Sequence, residues 1–338
     1  MHTREDLLRA RDLFTSKATG CLIGLAVGDA MGDLGRNAEY RNRYGIITDL
    51  YPGAKSTDDT EFGLLTARML LDCGGNLTPE AVLAAWQKYI IDQGGIFERA
   101  GKPLYGAVEN IKRGMRPPLS GIDNVQNNDD GAAMRISPIG VFCAGDPDRA
   151  AAMARVDAEI SHHADGVWAA QAVAAAIAVA MVDATPQAVV DTARQYIPDD
   201  SWLGRAFDRA MDICDQAAGD MLNAWEALHN ALWTPVHSMS AEAIPQVFAI
   251  FRLTGGDFKQ SMFWAANFGR DADSIAAICG ALCGALHGLS VIPERWVQQV
   301  RVASGVSLRF VRNEDVLALA EALVDLALSS EKATGDDE

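Results

Sequence analysis

The spacing of apolar residues constrains the fold of this 338-residue chain more than any other feature. Apolar residues recur every three or four positions through most of the sequence, and no segment alternates apolar and polar residues between turn signals. Several of these segments begin at a cap residue or at a proline suited to a first helical turn, as at Thr78-Pro79 and Thr185-Pro186. The pattern predicts about fifteen helices, and therefore an all-α protein.

The predicted helices follow one another without a change of composition that would separate two domains. No Pro/Ser-rich or charged linker interrupts them. We therefore expect one domain over residues 1–330, followed by a polar, disordered tail over residues 331–338. Two stretches, 29–56 and 114–133, lack apolar periodicity, and we expect irregular structure in both, the second as a surface loop.

The charge of the chain excludes one class of function. Acidic side chains outnumber basic ones by 45 to 29, which gives a formal net charge of −16, so we do not expect a surface that binds nucleic acid. The N-terminal segment mixes both charge signs and does not resemble a secretory signal. The apolar runs 167–182 and 275–292 consist mainly of Ala and Gly, and they predict buried helices rather than membrane spans. We expect a cytoplasmic protein without a membrane partner.

Asp58 and Asp59 form the first of two acidic clusters that stand directly before an apolar helix. They lie in the string KSTDDT, with hydroxyl side chains on both sides. Neighbouring helical side chains point about 100° apart, so two adjacent carboxylates converge only at a helix start or in a loop. Carboxylate and hydroxyl oxygens are ligands that Mg²⁺ prefers. A solvated helix cap, as predicted for Asp199-Asp200, remains the alternative for this string.

Asp271, Asp273 and Ser274 form the second cluster, in the string GRDADS before the helix predicted over 273–289. Their spacing allows three oxygen groups to turn toward one point where a loop enters a helix. Glycines recur every four residues along that helix, which predicts the close approach of another backbone. An ordinary Asp cap is again the alternative. Two clusters of one type, each at the start of a buried helix, favour a shared site for two metal ions.

Five strings carry a family resemblance, and they are GCLIGLAVGDAMG, STDDTEFGLLTARML, GAAMRISPIGV, SHHADGVWAA and GRDADSIAAICGALCGALHG. In this order they resemble the motifs of the ADP-ribosylglycohydrolase family. The resemblance covers about residues 18–293, and the combination of STDDT with DADS makes it specific. It implies a single-domain orthogonal all-α bundle with a central cleft that holds two divalent cations, Mg²⁺ or Mn²⁺.

The resemblance also implies ligands and a reaction. The metal ligands of the family fall on oxygen-bearing side chains of this chain: Thr57, Asp58, Asp59, Asp271, Asp273 and Ser274. The implied reaction is hydrolysis of the N- or O-glycosidic bond at C1″ of an ADP-ribose unit attached to an acceptor such as an arginine or serine side chain. The expected partner is therefore an ADP-ribosylated protein or a small ADP-ribosylated substrate.

Candidate substrate contacts come from the segments between the predicted helices. Gly131 and Gly269, near helix starts, could offer backbone N–H groups to a diphosphate. Arg135 could bind an anion, although a salt bridge explains this residue equally well. Met134 and His162 are the other candidates for substrate contact, and a packed or solvated role is the more usual one for a histidine.

The chain departs from the family pattern at three places. Many members have a Glu about five residues after GDAMG, where this chain offers Asp33 and Glu39, and Asp92 stands near the place of a catalytic Asp in some relatives. These three acids are the candidates for a general acid or base. The Gly-Asn-Gly of the family reads Asp129-Asp130-Gly131 here, and acidic residues at that place would repel a pyrophosphate.

Three functions remain open on these observations. The first is a Mg²⁺- or Mn²⁺-dependent glycosidase that releases ADP-ribose. The acids before Gly131 suggest a second, a bimetal hydrolase of a small ribosyl metabolite. The third is an ADP-ribose-binding relative without catalytic activity, which is disfavoured because all six ligand positions keep an oxygen-bearing side chain.

Overall fold

A computed structural model describes residues 2–335 of the chain, with side chains up to residue 330. Eighteen α-helices lie within that part, and no β-strand does. The helices are α1 Arg4–Arg9, α2 Arg11–Arg36, α3 Ala38–Tyr44, α4 Asp58–Asp72, α5 Pro79–Trp86, α6 Lys102–Lys112, α7 Leu119–Ile122, α8 Ser137–Phe142, α9 Pro147–Ala158, α10 Asp165–Ala180, α11 Pro186–Gln195, α12 Trp202–Gln216, α13 Met221–Leu232, α14 Ser240–Leu253, α15 Phe258–Asn267, α16 Ala272–His287, α17 Glu294–Val300 and α18 Val316–Gly335. The predicted all-α, single-domain fold is confirmed.

The helices α2 and α16 form the centre of the molecule as an antiparallel pair in backbone contact. Gly24 of α2 faces Gly280 of α16, and a Cβ added to either glycine would collide with the carbonyl group of the other. Gly28 and Gly32 face residues 276 and 272 in the same way. The glycine stripe predicted from the sequence therefore marks a close helix contact. This contact sets the C-terminal end of α2 beside the N-terminal end of α16.

The long helix α2 differs from the sequence prediction at both ends. The apolar periodicity of the first segment predicts one helix over about residues 4–28, whereas the helix breaks at Ala10 and α2 then continues to Arg36. The segment 29–36, expected to be irregular, is therefore helical, and α3 follows it directly. Glycine weakens an isolated helix, but here each glycine allows the backbone of α16 or α15 to approach α2, and this packing overrides the propensity.

The segment 114–133 and the C-terminal end of the chain differ in part from the sequence prediction. The segment 114–133 holds the short helix α7 and runs along the surface, but its end turns inward, because Asp129 and Asp130 are buried. The last helix, α18, runs to Gly335 since no proline or glycine interrupts it earlier. The predicted tail thus begins inside this helix, and residues 336–338 lie outside the described residues.

Among the described helices, none is long and apolar enough to span a membrane.

Candidate active site

A cleft opens where the C-terminal end of α2 meets the N-terminal ends of α4 and α16. Its volume is about 450 Å³, which is within the range of small-ligand sites. Three further segments complete its wall: 99–102 before α6, 126–131, and 235–238 before α14. The pairing of α2 with α16 thus brings together parts of the chain that are far apart in sequence.

The two acids of α4 stand on its first turn, and Asp29 of α2 fixes the residue before them. Asp29 is fully buried and accepts hydrogen bonds from the backbone N–H and the hydroxyl of Thr57, both at 2.6 Å. It also accepts from the N–H and the hydroxyl of Thr60, at 3.1 and 2.6 Å. Because the Thr57 hydroxyl donates its proton to Asp29, its lone pairs remain available to a cation.

The second acidic cluster stands on the first turn of α16 and meets the first at one point. One carboxylate oxygen each of Asp58, Asp59 and Asp273 lies within 4.8 Å of the other two. Asp271 and Ser274 line the same cleft. Two short strings that lie more than two hundred residues apart in the sequence therefore converge as a single oxygen-rich group.

The carboxylates of this group differ in their pKa values. Burial raises the pKa of Asp58 to about 6, and burial together with the charge of Asp273 raises that of Asp271 to about 7. Burial and the same neighbour raise the pKa of Asp59 well above its ordinary value. Burial also acts on Asp273, but the guanidinium groups of Arg36 and Arg99 more than offset it and hold its pKa below the ordinary value. The group therefore carries more negative charge than its surroundings stabilise.

Three buried carboxylate oxygens in the cleft lack a hydrogen-bond donor among the described residues, and they are Oδ1 of Asp58, Oδ1 of Asp59 and Oδ2 of Asp130. Oδ1 of Asp58 lies 3.0 Å from Nε of Arg99, but without hydrogen-bond geometry. Buried polar atoms are nearly always paired, and an unpaired carboxylate is costly. Hard divalent cations take several carboxylate and hydroxyl oxygens as ligands. The donor set therefore fits a divalent cation such as Mg²⁺ or Mn²⁺.

Two arginines contact the acidic group. Nη1 of Arg36 donates to both oxygens of Asp273 at 2.5 Å and lies 3.0 Å from Oδ1 of Asp271. Arg99 contacts Asp58, Asp273 and Asp33. Neither arginine is predicted as a site residue from the sequence, because arginine is common in any chain and the neighbouring residues do not indicate a carboxylate group that is distant in sequence.

The wall at residues 129–131 rests on His162. Oδ1 of Asp129 accepts from the N–H of Gly131 at 2.9 Å and pairs with Nε2 of His162 at 2.7 Å. His162 is buried, its Nδ1 contacts Ser161 at 2.7 Å, and burial lowers the pKa of the imidazole. His162 therefore supports Asp129 from behind and does not face the cleft, which disagrees with its assignment as a substrate contact.

The other candidate substrate residues divide into two pairs. Gly131 and Met134 line the cleft, and their contact with a substrate stays a prediction. Arg135 is fully buried, and its guanidinium donates to Asp157, to Ser161 and to the carbonyl of Gly131. With its donors used inside the protein, Arg135 does not contact a ligand. Gly269 adopts φ of +77°, which favours glycine, and it turns the chain toward α16 outside the lining of the cleft.

The three candidate acids lie in different places. Asp33 stands on the last turns of α2, and its carboxylate pairs with Arg99 beside the acidic group. Glu39 is exposed on the first turn of α3. Asp92 is exposed and accepts a hydrogen bond from Nε2 of Gln87 at 2.6 Å. Of the three acids, only Asp33 is near the cleft, through its ion pair with Arg99. Glu39 lies outside because α2 continues as a helix to Arg36 and α3 then exposes Glu39.

The segment 235–238 is held in place by a buried acid that the sequence analysis also missed. Glu242 of α14 accepts from the N–H and the hydroxyl of Thr234, at 2.7 and 2.9 Å, and from Nη2 of Arg270 at 2.8 Å. Arg270 directly precedes Asp271, so this ion pair joins the wall to the second acidic cluster. His237, on the same wall, contacts Nη2 of Arg36 at 3.0 Å.

Comparison with known proteins relates this cleft to a family. The family model described as ADP-ribosylglycohydrolase matches residues 10–333. A solved structure described as "ADP-ribosylglycohydrolase-related protein complex" superposes with a TM-score of 0.68 at 21% identity and covers 94% of this chain and 99% of its own. At that identity the superposition supports the fold alone.

Relatives by sequence include proteins with and without a named activity. An uncharacterized protein of Archaeoglobus fulgidus is 31% identical over 84% of this chain and 92% of its own length. An ADP-ribosylarginine hydrolase of Pseudomonas putida is 26% identical over 84% of this chain and 74% of its own, and an ADP-ribosyl-[dinitrogen reductase] glycohydrolase of Rhodospirillum rubrum is 24% identical over 84% and 90%. Because the family model matches nearly the whole chain, the chain belongs to the ADP-ribosylglycohydrolase family.

Proposed function

We propose that this protein is a divalent-cation-dependent glycosidase that cleaves the bond between ADP-ribose and a modified acceptor and releases ADP-ribose. The observation that carries the proposal is the convergence of Asp58, Asp59 and Asp273 within 4.8 Å in a cleft of about 450 Å³. Membership of the family supports an ADP-ribosyl glycohydrolase activity. An arginine side chain is the preferred acceptor, because one relative is named an ADP-ribosylarginine hydrolase and the acidic cleft suits a leaving guanidinium group.

The first turns of α4 and α16 would hold two cations, Mg²⁺ or Mn²⁺, through Thr57, Asp58, Asp59, Asp271, Asp273 and Ser274. When bound, the cations supply Lewis-acid polarisation and a template for the ribose hydroxyls. The chain supplies the orientation, since Asp29 fixes Thr57 and the helix starts fix the carboxylates. The ribose would therefore lie above these two helix starts.

The diphosphate would lie against the N-terminal end of α6 and the segment 129–131. Helix α6 has no side-chain cap, and its N-cap residue Gly101 lines the cleft together with Lys102. Free backbone N–H groups at a helix start and a nearby ammonium group favour an anion. Gly131 and Met134, which line the same cleft, would complete the contacts.

Asp33 is the proposed general acid or base. Its carboxylate pairs with Arg99, which also contacts Asp58 and Asp273, and its side chain is 24% exposed. A carboxyl group there can exchange a proton with the attacking water or with the leaving group. We expect Asp33→Asn to lower kcat about 100-fold with little change in KM.

A panel of substrates tests the proposal. The protein is incubated with arginine-linked, serine-linked and nucleobase-linked ADP-ribose, in Mn²⁺ or in EDTA, and released ADP-ribose is measured. We expect release from the arginine linkage in Mn²⁺ and none in EDTA. Turnover that persists in EDTA would contradict the dependence on metal, and release from another linkage alone would reassign the acceptor.

A reducing, cytoplasmic location belongs to the proposal because all six cysteines are free, and cell fractionation tests it.

A second candidate function is the hydrolysis of a small ribosyl metabolite. It is favoured by Asp129 and Asp130, whose buried carboxylates line the cleft where a diphosphate would pass. Such a substrate has no diphosphate to be repelled. Hydrolysis of a ribosyl metabolite that free ADP-ribose does not inhibit would favour this second function over the first.

A further inference from the structure

Two guanidinium groups lie on the same carboxylate oxygens that the proposed function assigns to metal ions. Arg36 reaches them from the last turn of α2, and Arg99 reaches them from the segment before α6. Neither residue belongs to the ligand set that the family implies. Their positive charges therefore lie where the proposed function expects divalent cations.

The contacts of Arg36 are with the cluster on α16. Nη1 donates to Oδ1 and Oδ2 of Asp273 at 2.5 Å and lies 3.0 Å from Oδ1 of Asp271. Nη2 contacts Nε2 of His237 at 3.0 Å. The guanidinium thus sits between the two carboxylates in the manner of a cation that they share.

The contacts of Arg99 are with both clusters. Its Nε lies 3.0 Å from Oδ1 of Asp58, and its two terminal nitrogens pair with Asp33 and Asp273. Asp273 therefore meets both arginines, which agrees with its lowered pKa. Asp59 and Asp130, in contrast, each keep an oxygen without a donor. The guanidinium groups therefore meet Asp58, Asp271 and Asp273, and they leave these oxygens of Asp59 and Asp130 without a partner.

We infer that Arg36 and Arg99 are built-in counter-cations that compete with divalent ions for Asp58, Asp271 and Asp273, so that full metal loading requires their guanidinium groups to move away. The inference rests on the metal binding of the proposed function and is independent of its substrate. Ion binding at Asp59, where no guanidinium intervenes, then precedes binding at Asp271, and the two ions bind with unequal affinity.

The surroundings of the two arginines allow this movement. The side chains of Arg36 and Arg99 are each 28% exposed at the surface of the cleft, whereas that of Arg135 is 0% exposed and enclosed on all sides. An arginine has a long flexible stem, so the guanidinium can turn toward water while the stem stays packed. A divalent ion also interacts more strongly than a single positive charge with the same carboxylates.

The test is a titration of the full-length protein with Mn²⁺, followed by calorimetry and by the electron paramagnetic resonance signal of free Mn²⁺. The variants are Arg36→Met and Arg99→Met, which keep the apolar stem and remove the charge. We expect each variant to lower the dissociation constant of the weaker Mn²⁺ site about tenfold or more. The matched control is Arg252→Met, because Arg252 is similarly exposed, at 23%, and pairs with Asp215 at 2.5 Å outside the cleft.

Thermal unfolding gives a second measurement that does not depend on turnover. In EDTA, Arg36→Met and Arg99→Met should unfold at lower temperature than the wild type, because carboxylates lose their partners, and saturating Mn²⁺ should remove the difference. For Arg252→Met the difference should be the same in both conditions. If a Met variant does not fold, Arg36→Gln and Arg99→Gln replace it.

The outcomes separate this inference from the proposed function. Unchanged or weaker Mn²⁺ binding in both variants would overturn the inference, even with a wild type that binds Mn²⁺ and is active. If the wild type shows no detectable Mn²⁺ binding but a protein that carries both Arg36→Met and Arg99→Met binds Mn²⁺, the inference is supported. If neither protein binds Mn²⁺, the inference fails, and metal-independent release of ADP-ribose would then contradict only the metal part of the proposed function.

Discussion

Two groups of buried carboxylates in this protein differ in the number of donors that they meet. Glu61 accepts hydrogen bonds from the backbone N–H groups of residues 306, 307 and 308 at 2.7 to 2.8 Å. Both oxygens of Asp157 accept from the guanidinium of Arg135. Asp59 and Asp130 are equally buried, yet each keeps an oxygen without a donor. Burial alone therefore does not distinguish these acids from one another, whereas the number of donors that each one meets does.

The number of donors distinguishes the carboxylates that stabilise the fold from those that we propose as cation ligands. A carboxylate whose lone pairs all meet donors holds segments of the chain together, as Glu61 holds residues 304–308 against α4. A carboxylate that is buried without donors destabilises the protein until a cation reaches it. The same substitution, removal of a buried negative charge, should therefore have opposite consequences in the two groups.

The largest expected effect is on stability, in the satisfied group. Asp157→Ala leaves the guanidinium of Arg135 buried without its partner, and such a loss costs about 3–5 kcal/mol of the free energy of unfolding. Urea unfolding followed by circular dichroism measures it. Asp208→Ala is the control, because Asp208 pairs with Arg194 and its side chain is 55% exposed. Such a surface pair contributes only about 0–1 kcal/mol. Equal effects of the two variants would contradict the comparison.

The second effect is on activity, in the unsatisfied group. Asp59→Asn removes a charge from the point where three carboxylates converge. We expect turnover to fall at least about 100-fold, which corresponds to about 3 kcal/mol in the barrier. The unfolding temperature in EDTA should stay the same or rise, because repulsion among the carboxylates decreases. A clear loss of stability in EDTA would place Asp59 in the structural group instead.

The sequence predicts those parts of the molecule that short-range patterns determine. Helical periodicity predicted the all-α fold, and two local strings predicted acids that the structure brings together. It missed the extension of α2 to Arg36, because contact with α16 overrides the low helix propensity of glycine. It also missed Arg99, which meets the acids only through the tertiary fold. A salt bridge was one of the two interpretations of Arg135, but the local pattern did not identify Asp157 as the partner.

The third effect is intermediate and concerns Asp29. Both oxygens of its carboxylate meet donors, but Asp29 orients Thr57 beside the carboxylates that lack donors. Its carboxylate only accepts, whereas the amide of Asp29→Asn also donates. With the amide oxygen on the N–H groups of Thr57 and Thr60, the NH2 group faces the Thr57 hydroxyl, which must then accept a hydrogen bond and loses a lone pair for the cation. A residue that orients a metal ligand typically contributes 10- to 100-fold to metal affinity, so we expect a loss of about that size. Mn²⁺ titration measures it. An unchanged dissociation constant would show that Thr57 does not need this support.

The smallest effects are expected at the two acids that the fold directs away from the cleft. Glu39 and Asp92 are exposed, and Asp92 already accepts a hydrogen bond from Gln87. Because surface substitutions usually change free energies by less than about 0.5 kcal/mol, Glu39→Gln and Asp92→Asn should leave kcat/KM within about twofold of the wild type. The same assay on Asp33→Asn provides the contrast, since Asp33 alone of the three pairs with Arg99 beside the acidic group. A tenfold loss in either surface variant would mean that α3 or the segment after α5 closes over the cleft during turnover, and the general acid or base would then be reassigned to that residue.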